Sequence, residues 1–432
     1  YVKVREYRDS ENRDIWEYQL NLDAGEVDRV LRHTWELGST WYQYFFFDEN
    51  CAYHLLSLLQ VARPDLDLTG RFRWWAIPAD SVSEIARQKD MVKKVVYRPA
   101  SATVIHHRLK GLNDQERRLA RDLSMKRISV GDPALGGLTA NRAAAVVETS
   151  QDYVSYRRAI GKNDVADPAG LAHELLAARG SLDAVAQTPE IPVPEVHPDQ
   201  GHGSSRITMG AGRRSRQDFQ ELTARATYHD IMDADGGYAR GAQIEFFSLA
   251  LRHYDSSDTR DSGNTQDSSS TRVEKFTPIN ILSLTPRDDF FESMSWNISA
   301  GWQRVRAANG NEPLAFALDG GSGGSWSNGN STALWYALFD GSSRLNSELV
   351  KGYALGAGAS IGGLFDPGPR WRMHGYARGM RYFLGQRDTP LTLGLEQRVS
   401  LGRDLALRLD IARNRELERS FNVGSVSVLF YF

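Results

Sequence analysis

The one cysteine in this 432-residue sequence, Cys51, lies in the stretch FFFDENCAYHLL at 45–56. An aromatic run precedes it and a leucine-rich helical pattern follows, so the thiol falls at a helix N-terminus. Unpaired backbone N–H groups and the positive end of the helix dipole meet there, and both favour the thiolate. The thiolate is the attacking species, so this is a place for a nucleophile in acyl transfer, and the same N–H groups can hold an oxyanion. Asn50 precedes the thiol and His54 follows it by three. Residues i and i+3 share a helical face but seldom make the in-line contact that proton transfer requires. His54 is therefore expected to pack or hydrogen-bond nearby. The competing reading of Cys51 is a small buried hydrophobe, and local spacing leaves both open.

The other histidines carry weaker signals. His33 falls in a helical pattern beside Val30 and Leu31, His106 and His107 in another, and His197 and His202 flank the end of a proline-rich stretch. No spacing supplies the three or four convergent ligands that a metal requires, so no metal is expected. The sequence has no P-loop, dinucleotide fingerprint, G-x-S-x-G or H-E-x-x-H, so no cofactor is expected either.

The elements that must position the thiol are mixed and mostly helical. Residues 14–22 read as a strand, and Asp23 can cap a helix with Val27, Val30, Leu31 and Trp35 at helical spacing. The run 42–47 (YQYFFF) reads as a buried strand leading into the cysteine helix, which carries Leu55, Leu56, Leu58 and Leu59. Further helices are expected near 80–89, 101–109, 114–123, 140–160 and 169–178, with a strand at 91–97. Residues 187–203 contain Pro189, Pro192, Pro194 and Pro198 and read as an extended linker. The first residue is Tyr1, with no initiator Met and no apolar leader, so upstream sequence including an export signal is expected.

From Ser204 onward the period becomes two. Leu405, Leu407, Leu409 and Ile411 alternate with Ala406, Arg408, Asp410 and Ala412. Leu391, Leu393, Leu395 and Val399, and likewise Met294, Trp296, Ile298 and Trp302, alternate with polar partners. A soluble sandwich points such a face inward, whereas an outer-membrane barrel points it at lipid. Singly spaced strands favour the barrel, as do long polar connections (254–270, 319–331) set against tight ones such as 402–403. So does an ending with Val426, Val428, Phe430 and Phe432 on one parity. About twelve strands are expected, near 205–214, 217–229, 238–254, 271–285, 290–306, 313–320, 331–339, 349–363, 369–383, 389–401, 404–413 and 419–432. Arg372, His374, Arg378, Glu396, Arg398, Arg408 and Asp410 would line the lumen as a salt-bridged filling, since a barrel of this size leaves little room. Tyr254, Trp326, Tyr382 and Tyr431 are candidates for an interfacial girdle. No stretch approaches the roughly 18 apolar residues of a spanning helix. A formal net charge of −2 gives no case for nucleic acid as a partner.

The stretch 42–63 (YQYFFFDENCAYHLLSLLQVAR), then 72–80 (FRWWAIPAD), together with the opening VREYRDSENRDIWEYQL, resembles the Lnb N-terminal periplasmic domain family. The placement of such a domain before a C-terminal barrel is similar as well. The resemblance implies a permuted papain-like fold with an Asn-Cys motif, and a member in Bacteroides transfers an acyl chain to lipoprotein N-termini. By resemblance, Cys51 would be the thioester-forming nucleophile, with Asn50 and His54 as companion site residues. The histidine of such permuted folds lies on strands upstream of the cysteine helix, where this sequence offers only His33.

The expected architecture is thus a mostly α (α+β) periplasmic domain at 1–186, a linker at 187–203 and an antiparallel transmembrane β-barrel of about 12 strands at 204–432. Its expected place is the bacterial outer membrane. Expected partners are outer-membrane lipid, the barrel-insertion machinery, and a phospholipid or lipoprotein substrate. A thiol-dependent acyltransferase or hydrolase stands beside two alternatives. One is a non-enzymatic barrel for transport or partner binding with Cys51 purely structural; the other is a cysteine peptidase or amidase.

Overall fold

The computed structural model describes residues 7–8, 13–72, 75–162, 165–185, 190–255, 269–328 and 332–432. In chain order the first elements are β1 (Ile15–Leu20), α1 (Ala24–Leu37), α2 (Cys51–Ala62), α3 (Pro78–Arg87), β2 (Val92–Arg98), α4 (Ser101–Lys110), α5 (Asp114–Ser124), α6 (Pro133–Gly136), α7 (Ala140–Ala159) and α8 (Pro168–Ser181). They are distributed between two compact units. One comprises Tyr1–Asp23 with Ala86–Glu195, the other Ala24–Ile85 with Val196–Phe432.

In the first unit β1 and β2 form an antiparallel ladder with Trp16 opposite Tyr97, their rings 4.9 Å apart. The helices α5, α7 and α8 bury Leu119, Leu123, Val146, Val147, Leu171 and Leu175, and α7 packs against both neighbours. Asn113 begins α5 with a reciprocal cap: its side chain accepts from Glu116 N (3.0 Å), while the Glu116 carboxylate accepts from Asn113 N (2.8 Å). Arg142 then pairs with Glu116, and Arg108 and Arg179 converge on Glu148 at 2.7 and 2.6 Å.

In the second unit α1 grips the end of α2. Arg63 pairs with Glu26 at 2.6 Å, and Arg29 donates to the Ala62 carbonyl at 2.6 Å, supplying one of the last-turn carbonyls with a partner. The apolar positions expected to bury α1 face the other way: Val27, Leu31 and Trp35 are exposed, Trp35 by 88%. The run 42–47 forms no strand. Tyr42, Tyr44, Phe45 and Phe46 are exposed, and only Phe47 finds an apolar seat, against Phe246 and Phe247 at 5.2 and 5.1 Å. A strand needs a partner edge. The β1–β2 pair is the one sheet outside the barrel among the described residues, and this run does not join it.

The barrel consists of β3 (Arg206–Arg214), β4 (Gln217–His229), β5 (Ala242–Tyr254), β6 (Ser270–Ser283), β7 (Ser295–Arg304), β8 (Leu314–Ser327), β9 (Ala333–Leu345), β10 (Tyr353–Gly368), β11 (Trp371–Gly385), β12 (Leu391–Ser400), β13 (Leu405–Glu416) and β14 (Arg419–Tyr431). Each strand pairs antiparallel with its neighbours in sequence, and β14 pairs with β3, so the ring of twelve is closed and has no edge. Leu391, Leu393, Leu395, Leu407, Ile411, Val426, Phe430 and Phe432 are exposed on the outside. Ser295, Arg225, Asp340, Arg398 and Ala406 are buried on the inside. Apolar-out, polar-in alternation around a closed ring is the arrangement of a barrel in lipid.

Three expectations need correction. The stretch 319–331 is not a loop up to Ser327: β8 runs through its glycines. A Cβ on Gly323 would lie 2.0 Å from the Ala337 carbonyl oxygen, so this strand is pressed against β9 where a side chain would not fit. Second, Tyr254, Tyr382 and Tyr431 are buried in the lumen, where Arg272, Arg344 and Arg398 sit over their rings. Trp326, the fourth candidate, does face outward, and with Trp296, Trp335 and Trp371 it forms the aromatic belt at the end of the barrel where β3 begins. Third, long connections occur at both ends. The connection expected at 254–270 lies mostly outside the described residues. At the other end, residues 230–241 fold back into the barrel.

Candidate functional site

Asn50 is the N-cap of α2. Its Oδ1 accepts from Ala52 N (3.0 Å) and Tyr53 N (3.3 Å), and its Nδ2 donates to the carbonyls of Ala76 (2.6 Å) and Phe46 (3.2 Å). Almost wholly buried, it ties the aromatic run to the segment before α3 and fixes where the helix starts. Cys51 follows at the first helical position, and its side chain is exposed. The buried-hydrophobe alternative for this thiol therefore does not describe it. His54 is brought near neither a carboxylate nor another imidazole among the described residues. Its ring stacks on Tyr42 at 4.3 Å, and its Nε2 is buried without a hydrogen-bond partner. His33, the one upstream imidazole, has its Nδ1 3.4 Å from the Glu36 carboxylate.

This geometry divides the chemistry of the first turn. The N–H groups of Ala52 and Tyr53 are already satisfied by the cap, and that of His54 by the Asn50 carbonyl at 3.1 Å. What the turn offers an approaching anion is the Cys51 end and the helix dipole. Near the same helices, the Asp80 carboxylate accepts from Ser204 Oγ at 2.5 Å, and burial pushes its pKa above the usual aspartate value.

A second constellation escaped the sequence reading. His202, His229 and Asp233 bring their ligand atoms within 4.8 Å of one another, all buried. Their spacing in the sequence, across the end of the linker, β4 and a loop, gave no local signal. As a metal centre they fit poorly. Asp233 Oδ2 already accepts from Arg225 (2.8 Å) and Asp230 N (2.9 Å), and Oδ1 from Arg206 (3.0 Å) and the Tyr431 hydroxyl (2.6 Å). Two buried guanidiniums beside the aspartate oppose a cation. Nδ1 of His202 lies 2.7 Å from the Gly203 carbonyl and therefore carries its proton, so Nε2 accepts from His229 Nδ1 at 3.1 Å. The group is a polar filling in which His229 Nε2 is buried without a hydrogen-bond partner.

That filling belongs to the loop 230–241, which closes the lumen. Arg372 of β11 donates to the carbonyls of Ile231 (3.1 Å) and Asp233 (2.7 Å) and pairs with Asp235 and Asp366. Arg408 of β13 reaches Asp230 at 3.2 Å. On the other side of the loop Ile231 and Met232 pack with Leu284, Leu334 and Leu364. Arginines from β3, β4, β11 and β13 thus clamp one loop within the ring. The expected lumen-lining residues face inward; Arg372 and Arg408 grip this plug, while Arg378 pairs with Asp319 and His374 with Glu396 on the barrel wall.

A closed twelve-strand ring with an oily exterior and a charged, plugged interior defines an outer-membrane β-barrel protein, and its N-terminal domain lies in the periplasm. Residues 195–431 match the family described as a domain of unknown function (DUF7840), and the chain belongs to that family. Residues 1–88 match the Lnb N-terminal periplasmic domain, and 95–191 match a second domain of unknown function (DUF7842). No curated protein matches the chain. Among solved structures, it is similar to an OmpT of Vibrio cholerae lacking loop L8, at 8% identity and a TM-score of 0.27, over 53% of this chain and 97% of that one. It is also similar to the NanC porin (10%, 0.32, 52% and 100%) and the CymD monoaromatic hydrocarbon channel (8%, 0.29, 54% and 90%). These are likenesses of barrel fold alone.

Proposed function

We propose that this protein carries a periplasmic thiol-dependent acyltransferase or hydrolase held at the outer membrane by its barrel, with Cys51 as the nucleophile. The observation that supports the reading is the exposure of Cys51 at the dipole-positive start of α2, immediately after a buried cap. The Cys51 thiolate attacks an ester carbonyl of a phospholipid and expels the lysolipid alcohol, leaving an acyl thioester. An amine, as at a lipoprotein N-terminus, or water then takes the acyl group and frees the thiolate. Asn50 sets the start of the helix. His54 belongs to the site as a packing residue stacked on Tyr42, and the proton of the thiol goes to a different base. The alternative of solute transport is weakened by the plug, which fills the lumen at the end where β3 begins.

The test is covalent labelling of the full chain, folded in lipid, with a long-chain activated acyl ester. Wild type should acquire one acyl group, and Cys51→Ala none. His54→Ala should still label, since its ring does not reach the thiol. Equal labelling of wild type and Cys51→Ala rejects the mechanism.

A further inference from the structure

The covalent entry of the chain at Arg206 sets the direction of every strand. The β3 start and β14 end face the periplasm, and the β10–β11, β12–β13 and β13–β14 pairs have their other ends at the cell exterior. On that outer end, one arc of the barrel departs from the oily exterior. Arg413 and Arg415 of β13 are outward and exposed, registered against Leu393 and Leu391 of β12. Gly379 of β11 pairs with Leu391 on the other side, so Arg381, two residues further on and exposed, stands one outward position beyond Arg415. Exposed Arg387 and Arg419 complete the group from the adjoining connection and the start of β14.

Five arginines on adjacent elements face one exposed carboxylate, Glu418. Two other acids lie nearby: Asp388, engaged with the N–H groups of Thr389 (2.7 Å) and Leu417 (3.0 Å), and half-buried Glu416, registered opposite Arg419. Further round the barrel, Trp302, Leu318 and Leu345 are outward and apolar at this end, as is Leu355 on β10 beside β11. The arginine arc also borders a concavity of about 650 Å³ in which Arg381 and Arg387 meet exposed Phe383.

We infer that this arc is a binding surface for the phosphorylated glycolipid of the outer leaflet. The guanidinium is planar, permanently charged and weakly hydrated, and it matches phosphate oxygens in pairs. Here it stands where the apolar belt ends, against Leu391, Leu393 and Phe383. That is the level at which a lipid presents a phosphate above its acyl chains. A surface serving only for solubility has no reason to set its cations at the last apolar register or to gather them on one side. A bisphosphorylated disaccharide lipid fits both halves: phosphates to Arg381, Arg413 and Arg415, chains to the leucines beneath.

The experiment uses the full chain in nonionic detergent, with bisphosphorylated lipid A as probe and binding read by native mass spectrometry. A basic side chain at an anionic lipid surface contributes about fivefold in affinity, so the triple variant Arg381→Gln/Arg413→Gln/Arg415→Gln should bind about a hundredfold more weakly. Arg213→Gln, whose guanidinium is already paired with Asp218 at 2.5 Å, should bind as wild type does. Dephosphorylated lipid A and phosphatidylglycerol should bind more weakly than the probe, and inorganic phosphate should not displace it. Heat-modifiable electrophoretic mobility shows that each variant is folded. Should the triple variant fail that check, Arg415→Gln alone should lose about fivefold. Undiminished binding by a folded variant would mean that the arginines are solvated charge only. Equal binding of phosphatidylglycerol, or displacement by phosphate, would equally overturn the assignment.

Discussion

Replacing Arg372 by alanine should unlatch the plug. The Arg372 side chain is nearly buried and bridges barrel wall and loop. It donates to the Ile231 and Asp233 carbonyls at 3.1 and 2.7 Å and to Asp235 at 2.8 Å, and it meets Asp366 through Nε and Nη2 at 2.9 and 3.0 Å. Removing one member of such a buried charged group costs about 3–5 kcal/mol, since its partners stay behind without it. The strand ladders on either side of β11 do not depend on this side chain, so the loss falls on the loop. Arg206, Arg225 and Arg408 still hold Asp230 and Asp233, and Arg240 still pairs with Asp235 and Asp366, which favours the lower figure. About 3 kcal/mol multiplies the open population by roughly a hundred. Single-channel recording in planar bilayers reads this directly. Wild type should stay closed almost throughout, and the variant should open about a hundred times more often. A variant with wild-type electrophoretic mobility and no added openings would refute the assignment of Arg372 as the latch.

Two further outcomes follow from the periplasmic elements. Asn50→Ala removes the α2 cap, worth about 1 kcal/mol, and strands the Ala76 carbonyl at a similar cost. Limited proteolysis at residues 41–47 should then quicken, and unchanged cleavage would show that the cap does not anchor this run. The hydrogen-bonded Arg142 guanidinium holds the Glu116 carboxyl below the usual glutamate range. A depressed folded-state pKa gives stability that is present above about pH 4.3 and lost as pH falls through the folded value. Helical circular dichroism should therefore fall on acidification below about pH 4 in wild type. In Glu116→Gln it should start lower and change less with pH, and parallel profiles would contradict the pairing.

The barrel was legible because lipid enforces a rule on each strand. Leu405 to Ile411, or Leu391 to Val399, must show one face to hydrocarbon, and the alternation survives in a single sequence. It failed at β8, where Gly320, Gly321, Gly323 and Gly324 carry no side chains to alternate. Tyr254, Tyr382 and Tyr431 were misassigned because parity, not nearness to a strand end, decides which way a ring faces: Phe430 and Phe432 face outward, so Tyr431 between them faces the lumen. The plug was invisible. Its grip is a set of contacts between Asp230, Asp233 and Asp235 and arginines as distant as 408, and no local pattern encodes that. The helix start at Cys51 was legible from the leucine-rich pattern that follows it, and the structure adds the cap by Asn50 that fixes it. The misreading of 42–47 came from applying strand propensity where no partner edge existed.

The plug's place in the chain has a consequence for assembly. Residues 230–241 follow the second of twelve strands, so they leave the ribosome, and then the export channel, before ten staves of the cask exist. The obstruction is tied at both ends to β4 and β5, so its backbone already hangs at the rim when β14 comes home to β3. Any assembly factor that closes the ring therefore handles a vessel that carries its own stopper.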